Sequence, residues 1–123
     1  MKHSPAFLDL VNKAKKNINE TTIQEVAKRL LNGDTFHFID VREDNEWNEG
    51  HAKGAIHLGK GIIERDIESK VPDKNSEIIL YCGGGYRSAL AAEALQKMGY
   101  TNVTSMDGGI RGWREAKLPE EKN

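Results

Sequence analysis

Cys82 is the one cysteine in a chain of 123 residues. It opens the run Cys82-Gly83-Gly84-Gly85-Tyr86-Arg87-Ser88. Three consecutive glycines strip every side chain from the tightest part of this turn and permit positive φ. The backbone N–H groups of residues 83–88 can then converge above the sulfur as an anion nest. A helix starting near Ser88 adds the positive end of its dipole, and Arg87 adds a full charge on a bidentate fork. All three effects favour thiolate over thiol. The chemistry that fits is nucleophilic attack by sulfur, with the cradle holding an oxyanion or an anionic sulfur species attached to Cys82. The plainer reading of a single cysteine is a small core residue ending a strand; the triple glycine and the arginine at this spacing argue against it. Nucleotide binding is poorly supported, because neither a GxxxxGK[ST] loop nor a G-x-G-x-x-G fingerprint is present.

Three further residues are candidates for supporting roles. Asp40 ends an apolar run, where its carboxylate can accept N–H bonds from a following loop. Arg42 stands four residues before Glu46, so the two pair if the segment is helical, or Arg42 faces the anion instead. His51 sits in a Gly-His turn and is either a structural residue or a general base for the thiol. Tyr86, the one large uncharged side chain of the glycine loop, is expected to line the entrance or an acceptor surface. Trp47 and Trp113 read as packing anchors. His3, His37 and His57 show no close metal-ligand spacing, so no metal site is expected.

The elements that must position these residues alternate between helix and strand. Ser4 is an N-cap with Pro5 in the first turn, and Phe7, Val11, Ala14 and Ile18 recur at helical spacing. Thr22 with Glu25 reads as a capping box opening a second helix that Gly33 closes. Residues 35–41 and 55–58 read as strands, residues 61–67 as a short helix, and residues 77–81 as a central strand, apolar nearly throughout. Residues 88–98 form an Ala- and Leu-rich helix stopped by Gly99; residues 102–106 a last strand; and Asp107-Gly108-Gly109 turns into a short helix around Trp113. This order predicts an α/β fold with a central, mostly parallel sheet flanked by helices. Such sheets bind ligands at the carboxyl ends of their strands, where Asp40, Arg42 and Cys82 fall.

Composition sets the outer bounds. The length suits one domain. Hydrophobic residues are 37%, and with the 12 glycines the share is about 47%, the ordinary globular value. Lys+Arg 18 against Asp+Glu 19 gives a net charge of -1, which does not advertise a nucleic-acid or membrane partner. One cysteine excludes an intramolecular disulfide, a self-resolving dithiol and a multi-cysteine zinc site. No apolar signal core follows Met1, so a reducing cytoplasm is the expected location.

The run Cys82-x-x-Gly85-x-Arg87-Ser88 resembles the active-site loop of the rhodanese-like sulfurtransferases. The segment Asp40-Val41-Arg42-Glu43-x-x-Glu46-Trp47-x-x-Gly50-His51-x-x-Gly54-Ala55 is similar to that family's first signature, and Asp107-Gly108-Gly109-Ile110-x-x-Trp113 to its C-terminal one. The resemblance spans about residues 22–118. It implies a three-layer rhodanese-like domain over residues 21–119, preceded by a helical extension over 1–20 and followed by a tail over 120–123. It also implies a persulfide mechanism. Cys82 takes sulfur from a donor such as thiosulfate or a persulfide and passes it to cyanide, a thiol or a protein acceptor. Gly83, Gly84, Gly85, Tyr86, Arg87 and Ser88 supply the anion-binding loop, and Arg87 also steadies it. No metal, nucleotide or other cofactor is needed. Four residues separate Cys82 from Arg87, the family's sulfur-transfer length, whereas the related cell-cycle phosphatases have one more. Some members carry an extra Lys or Arg inside the loop that helps hold thiosulfate; here Arg87 is the loop's sole cation, so a persulfide donor is the alternative. The competing readings are a non-enzymatic interaction module and a small phosphatase or arsenate reductase of the same fold. The apolar face of residues 7–18 leaves a monomer or a homodimer open.

Overall fold

The computed structural model describes residues 3–122. Its first helix, α1 (Pro5–Lys15), is capped by Ser4, whose hydroxyl accepts from the Phe7 amide at 3.4 Å. A short strand, β1 (Asn19–Thr21), leads to α2 (Ile23–Leu31), whose Thr22 cap accepts from the Glu25 amide at 3.1 Å. Then follow β2 (His37–Asp40), α3 (Asp44–Glu49), β3 (His51–Ala52), β4 (Ile56–His57) and α4 (Ile63–Lys70). The chain closes with β5 (Ile78–Tyr81), α5 (Tyr86–Lys97), β6 (Val103–Met106), α6 (Gly109–Glu115) and β7 (Glu120–Glu121).

Five strands form one parallel sheet in the order β1-β6-β5-β2-β4. β5 is its middle strand, and all four of its residues are buried. Its side chains alternate between two apolar clusters. Ile78 and Leu80 join Ile63, Ile67 and Leu95 on the α4–α5 side. Ile79 and Tyr81 join Val26, Phe38 and Trp113 on the α2–α6 side. A strand buried on both faces has no polar face to display, which is why this segment reads as a continuous apolar run. The same alternation sends Cys82 to the α5 side with Ile78 and Leu80.

The structure shifts several sequence-based boundaries. The strand expected over 35–41 is limited to His37–Asp40, and α5 starts at Tyr86 rather than Ser88 because Gly85 is its N-cap. The polar segment after Arg42 is largely helical, as α3. His51 lies in a two-residue strand rather than a turn, because β3 pairs antiparallel with β7, His51 opposite Glu121. β1 and β7 carry no apolar alternation that would announce a strand. α1 packs along α5 and buries Val11 and Ala14.

Candidate functional site

The cradle is built by two backbone segments, the glycine loop and the start of α6. Ile110 N–H donates to the Cys82 carbonyl at 2.8 Å, Arg111 N–H to Gly83 O at 3.1 Å, and Gly108 N–H to Gly84 O at 3.3 Å. Three successive loop carbonyls are thus pinned against α6. In a trans peptide the next N–H points the opposite way, so the amides of Gly83, Gly84 and Gly85 turn from α6. The Gly85 amide reaches Cys82 Sγ at 3.2 Å. The approach of α6 demands glycine at 109, which has φ +53; a Cβ there would overlap the Cys82 carbonyl and the Gly83 peptide.

Cys82 is 1% exposed. α5 has no side-chain cap, since Gly85 precedes it at φ 107. The sulfur takes that place, accepting from the Ser88 amide at 3.4 Å. Ser88 Oγ lies 3.5 Å from Sγ and 2.7 Å from Ser105 Oγ, all buried. The two hydroxyls form a relay. With a thiolate, Ser105 donates to Ser88 and Ser88 to the sulfur; with a thiol, S–H donates to Ser88 and the relay reverses. Ser105 has no signal in the sequence beyond its place on β6.

Arg87 reaches the site but does not leave its fork open. Its Nη1 and Nη2 donate to Glu46 Oε1 and Oε2 at 2.7 and 3.1 Å. Glu46 Oε1 also accepts from the Glu43 amide at 3.1 Å, so the capping box of α3 aims this carboxylate at the loop. The hydrogen bonds from Arg87 hold Glu46 below the ordinary carboxylate range, against the opposing effect of burial. The pairing expected from spacing, Arg42 with Glu46, does not form. Arg42 precedes the first turn of α3 and instead grips Asp40, Nη2 to Oδ2 at 2.7 Å and Nε to both oxygens. Asp40 also accepts the Arg42 amide at 2.9 Å, and Arg42 Nη2 donates to Gly50 O at 2.8 Å. Arg42 therefore ties the end of β2 to the Gly50 turn. His51 is 2% exposed, lies 3.2 Å through Nδ1 from the Trp47 carbonyl, and stacks on the Trp47 indole at 3.4 Å. It does not line the cavity above Cys82.

That cavity is about 900 Å³. Cys82, Gly83 and Gly84 line it together with four arginines, Arg42, Arg87, Arg111 and Arg114. Arg111 and Arg114 are site residues that sequence reasoning missed, because a charged residue on a short terminal helix reads as surface. His3, Ser4 and Phe7 bring the start of α1 to the cavity. Tyr86 closes this side: its ring centroid is 4.8 Å from that of His3 and 6.3 Å from that of Phe7, with Lys15 Nζ 5.4 Å away. Tyr86 thus lines the cavity, within an aromatic wall shared with α1. Among the described residues no cluster of His, Cys, Asp and Glu could hold a metal ion, and no helix is long and apolar enough to cross a membrane.

Comparison with known proteins places this geometry in a family. Residues 22–116 match the rhodanese-like domain. Thiosulfate sulfurtransferase PspE of Escherichia coli (strain K12) is 39% identical over 72 residues, which cover 58% of this chain and 69% of that protein. Thiosulfate sulfurtransferase GlpE of Vibrio cholerae is 30% identical over 95 residues, covering 77% of this chain and 88% of that one. A solved structure from Rhodopseudomonas palustris, of a protein of unknown function described as a possible tyrosine phosphatase, superposes with a TM-score of 0.85 at 26% identity. That superposition covers 98% of both chains.

Proposed function

The chain belongs to the rhodanese-like family, and from that premise we propose that it is a sulfurtransferase carrying sulfane sulfur as a persulfide on Cys82. One observation carries the reading: a buried sulfur capped by the Gly85 and Ser88 amides, opening onto an arginine-lined cavity. The Cys82 thiolate attacks the outer sulfur of thiosulfate. The S–S bond of the donor breaks, its electron pair leaves with sulfite, and Cys82 keeps the transferred sulfur as an anionic persulfide. A nucleophilic acceptor, cyanide or a thiol, then attacks that outer sulfur and returns Cys82 to thiolate. No external oxidant or reductant enters either step.

The cost to be met is electrostatic. Two like unit charges about 4 Å apart at the effective dielectric of a protein surface repel by about 4 kcal/mol. A dianionic donor beside a thiolate meets that opposition more than once. The loop amides offset it without neutralising the nucleophile, since a hydrogen bond leaves the charge in place. The N–H groups of Gly83 and Gly84, turned from α6, are the donors for the persulfide's terminal sulfur. Arg87, engaged by Glu46, holds the loop and adds a screened positive field. Ser88 and Ser105 hold the thiolate; Asp40, Arg42 and His51 brace the neighbouring strand end. The four-residue spacing between Cys82 and Arg87 is the length that the family resemblance associates with sulfur transfer rather than with phosphate. The Tyr86 wall is the surface on which a thiol or protein acceptor would arrive.

Thiocyanate production from thiosulfate and cyanide tests the proposal. The intact chain should turn over and Cys82→Ser should not. An intact chain that forms neither thiocyanate nor any persulfide from a persulfide donor would overturn it, and would leave an interaction module as the reading.

A further inference from the structure

The four arginines of the cavity are not equivalent. Arg42 is held by Asp40, Arg87 by Glu46 and Arg114 by Glu120. Arg111 has no carboxylate partner among the described residues; its one side-chain hydrogen bond runs from Nε to Gly83 O at 3.4 Å. Its guanidinium packs against the glycine loop, Nη2 nearest to Gly84. A Cβ on Gly84 would stand 2.5 Å from Arg111 Nη2 and 3.2 Å from Cζ, and one on Gly83 would stand 3.9 Å from Nη2. Gly84 has no positive φ, so its backbone does not require glycine. What an alanine there would displace is the guanidinium, the mobile end of a long side chain.

We propose that Arg111 is the recognition residue for an anionic, sulfonate-bearing sulfur donor of the thiosulfate class, and that Gly84 is glycine in order to seat it. This rests on the sulfurtransferase reading and names its donor. The loop itself contains no second cation, but α6 supplies one from outside, against Gly83 and Gly84 and on the wall of the cavity that Cys82 also lines. In the first step the thiolate and the donor carry three negative charges between them, and the departing sulfite keeps two. A guanidinium whose charge no carboxylate cancels can bind the sulfonate oxygens through two N–H groups and hold them as the S–S bond breaks. Arg87 cannot do so without leaving Glu46. Arg111 stays free of the reacting sulfur and so determines which donor enters rather than whether Cys82 reacts.

A pair of alkylating agents isolates this property from turnover. Iodoacetate and iodoacetamide differ in charge and little in shape, and Cys82 is the one thiol they can modify. Arg111→Ala keeps the backbone N–H that holds Gly83 and should lower the iodoacetate-to-iodoacetamide rate ratio by about fivefold, the worth of one exposed charged contact. Arg111→Lys should keep part of the ratio. Gly84→Ala should reproduce the Arg111→Ala ratio, and combining the two should add little, since both displace the same group. In turnover, Arg111→Ala should raise KM for thiosulfate more than it lowers kcat. An unchanged ratio and an unchanged KM in Arg111→Ala, with iodoacetamide reacting normally, would overturn the proposal while leaving the sulfurtransferase reading intact. A lowered ratio in a chain that takes up no sulfur would do the reverse: the anion site would stand and the proposed reaction would fall.

Discussion

Two adjacent strands of the sheet, β2 and β5, end side by side and do opposite things with their polar groups. After β2, Asp40 and Arg42 satisfy each other and the Gly50 carbonyl, both almost fully buried. His51 is stacked and hydrogen-bonded nearby. After β5, the loop carbonyls are spent on α6, so its amides face the sulfur and the cavity. The first strand end is saturated and holds shape. The second is left under-satisfied on one side, and that side is where the proposed persulfide would be held. A parallel sheet offers the same opening at each strand end; on the proposed function, the internal pairs around β2 leave the end of β5 as the reactive one.

Substitutions after β2 should therefore cost stability, and substitutions after β5 should cost chemistry. The largest effect is expected from Asp40→Ala, which leaves the buried Arg42 charge unpaired and should lower unfolding free energy by about 3–5 kcal/mol in urea. A loss below about 1 kcal/mol would remove the distinction between the two strand ends. Gly109→Ala comes next. Its side chain would meet the Cys82 carbonyl at a positive φ, so a loss of about 2–3 kcal/mol is expected, together with slower sulfur uptake. Stability lost with full uptake would show that the cradle tolerates movement of α6.

Glu46→Gln sits between the two regions and should cost about 0.5–1 kcal/mol at neutral pH. Its pH dependence has a definite sign. Arg87 holds the folded Glu46 below its ordinary value of 4.5, so this contribution is complete above that value and is lost as pH falls through the lower folded one. The stability gap between the intact chain and Glu46→Gln should close toward acid; a gap that widens there would contradict the pairing. The smallest effect is expected from Ser105→Ala, which leaves Ser88 without its partner. Iodoacetamide alkylation of Cys82 should slow about twofold to threefold, with about 0.5 kcal/mol of stability lost. An unchanged alkylation rate would mean that the relay does not reach the sulfur.

The legible part of this molecule is the part whose causes lie close together in sequence. β5 announces itself because both faces of four consecutive residues are buried, and the cradle because Cys82 to Ser88 are contiguous. The fold class follows from that strand and its neighbours. Arg87 with Glu46 was not legible: the partners lie 41 positions apart, and the helical spacing pointed to Arg42 instead. Spacing misled because α3 begins only at Asp44, which leaves Arg42 off the helix and free to turn back to Asp40. β1 and β7 escaped notice because their residues, Asn-Glu-Thr and Glu-Glu, are polar and short. Arg111 escaped because its meaning lies in what it lacks, a carboxylate, and in the hydrogen atom of Gly84 that it rests upon.

The central claim is that Cys82, capped by loop amides, accepts and holds a sulfur atom. Intact mass after incubation with thiosulfate tests it most directly, since a cysteine persulfide can form at one residue only. The account predicts a gain of one sulfur atom that cyanide removes and that Cys82→Ser prevents. An unmodified mass with thiosulfate and with a persulfide donor, in a folded chain whose Cys82 still reacts with iodoacetamide, would contradict it.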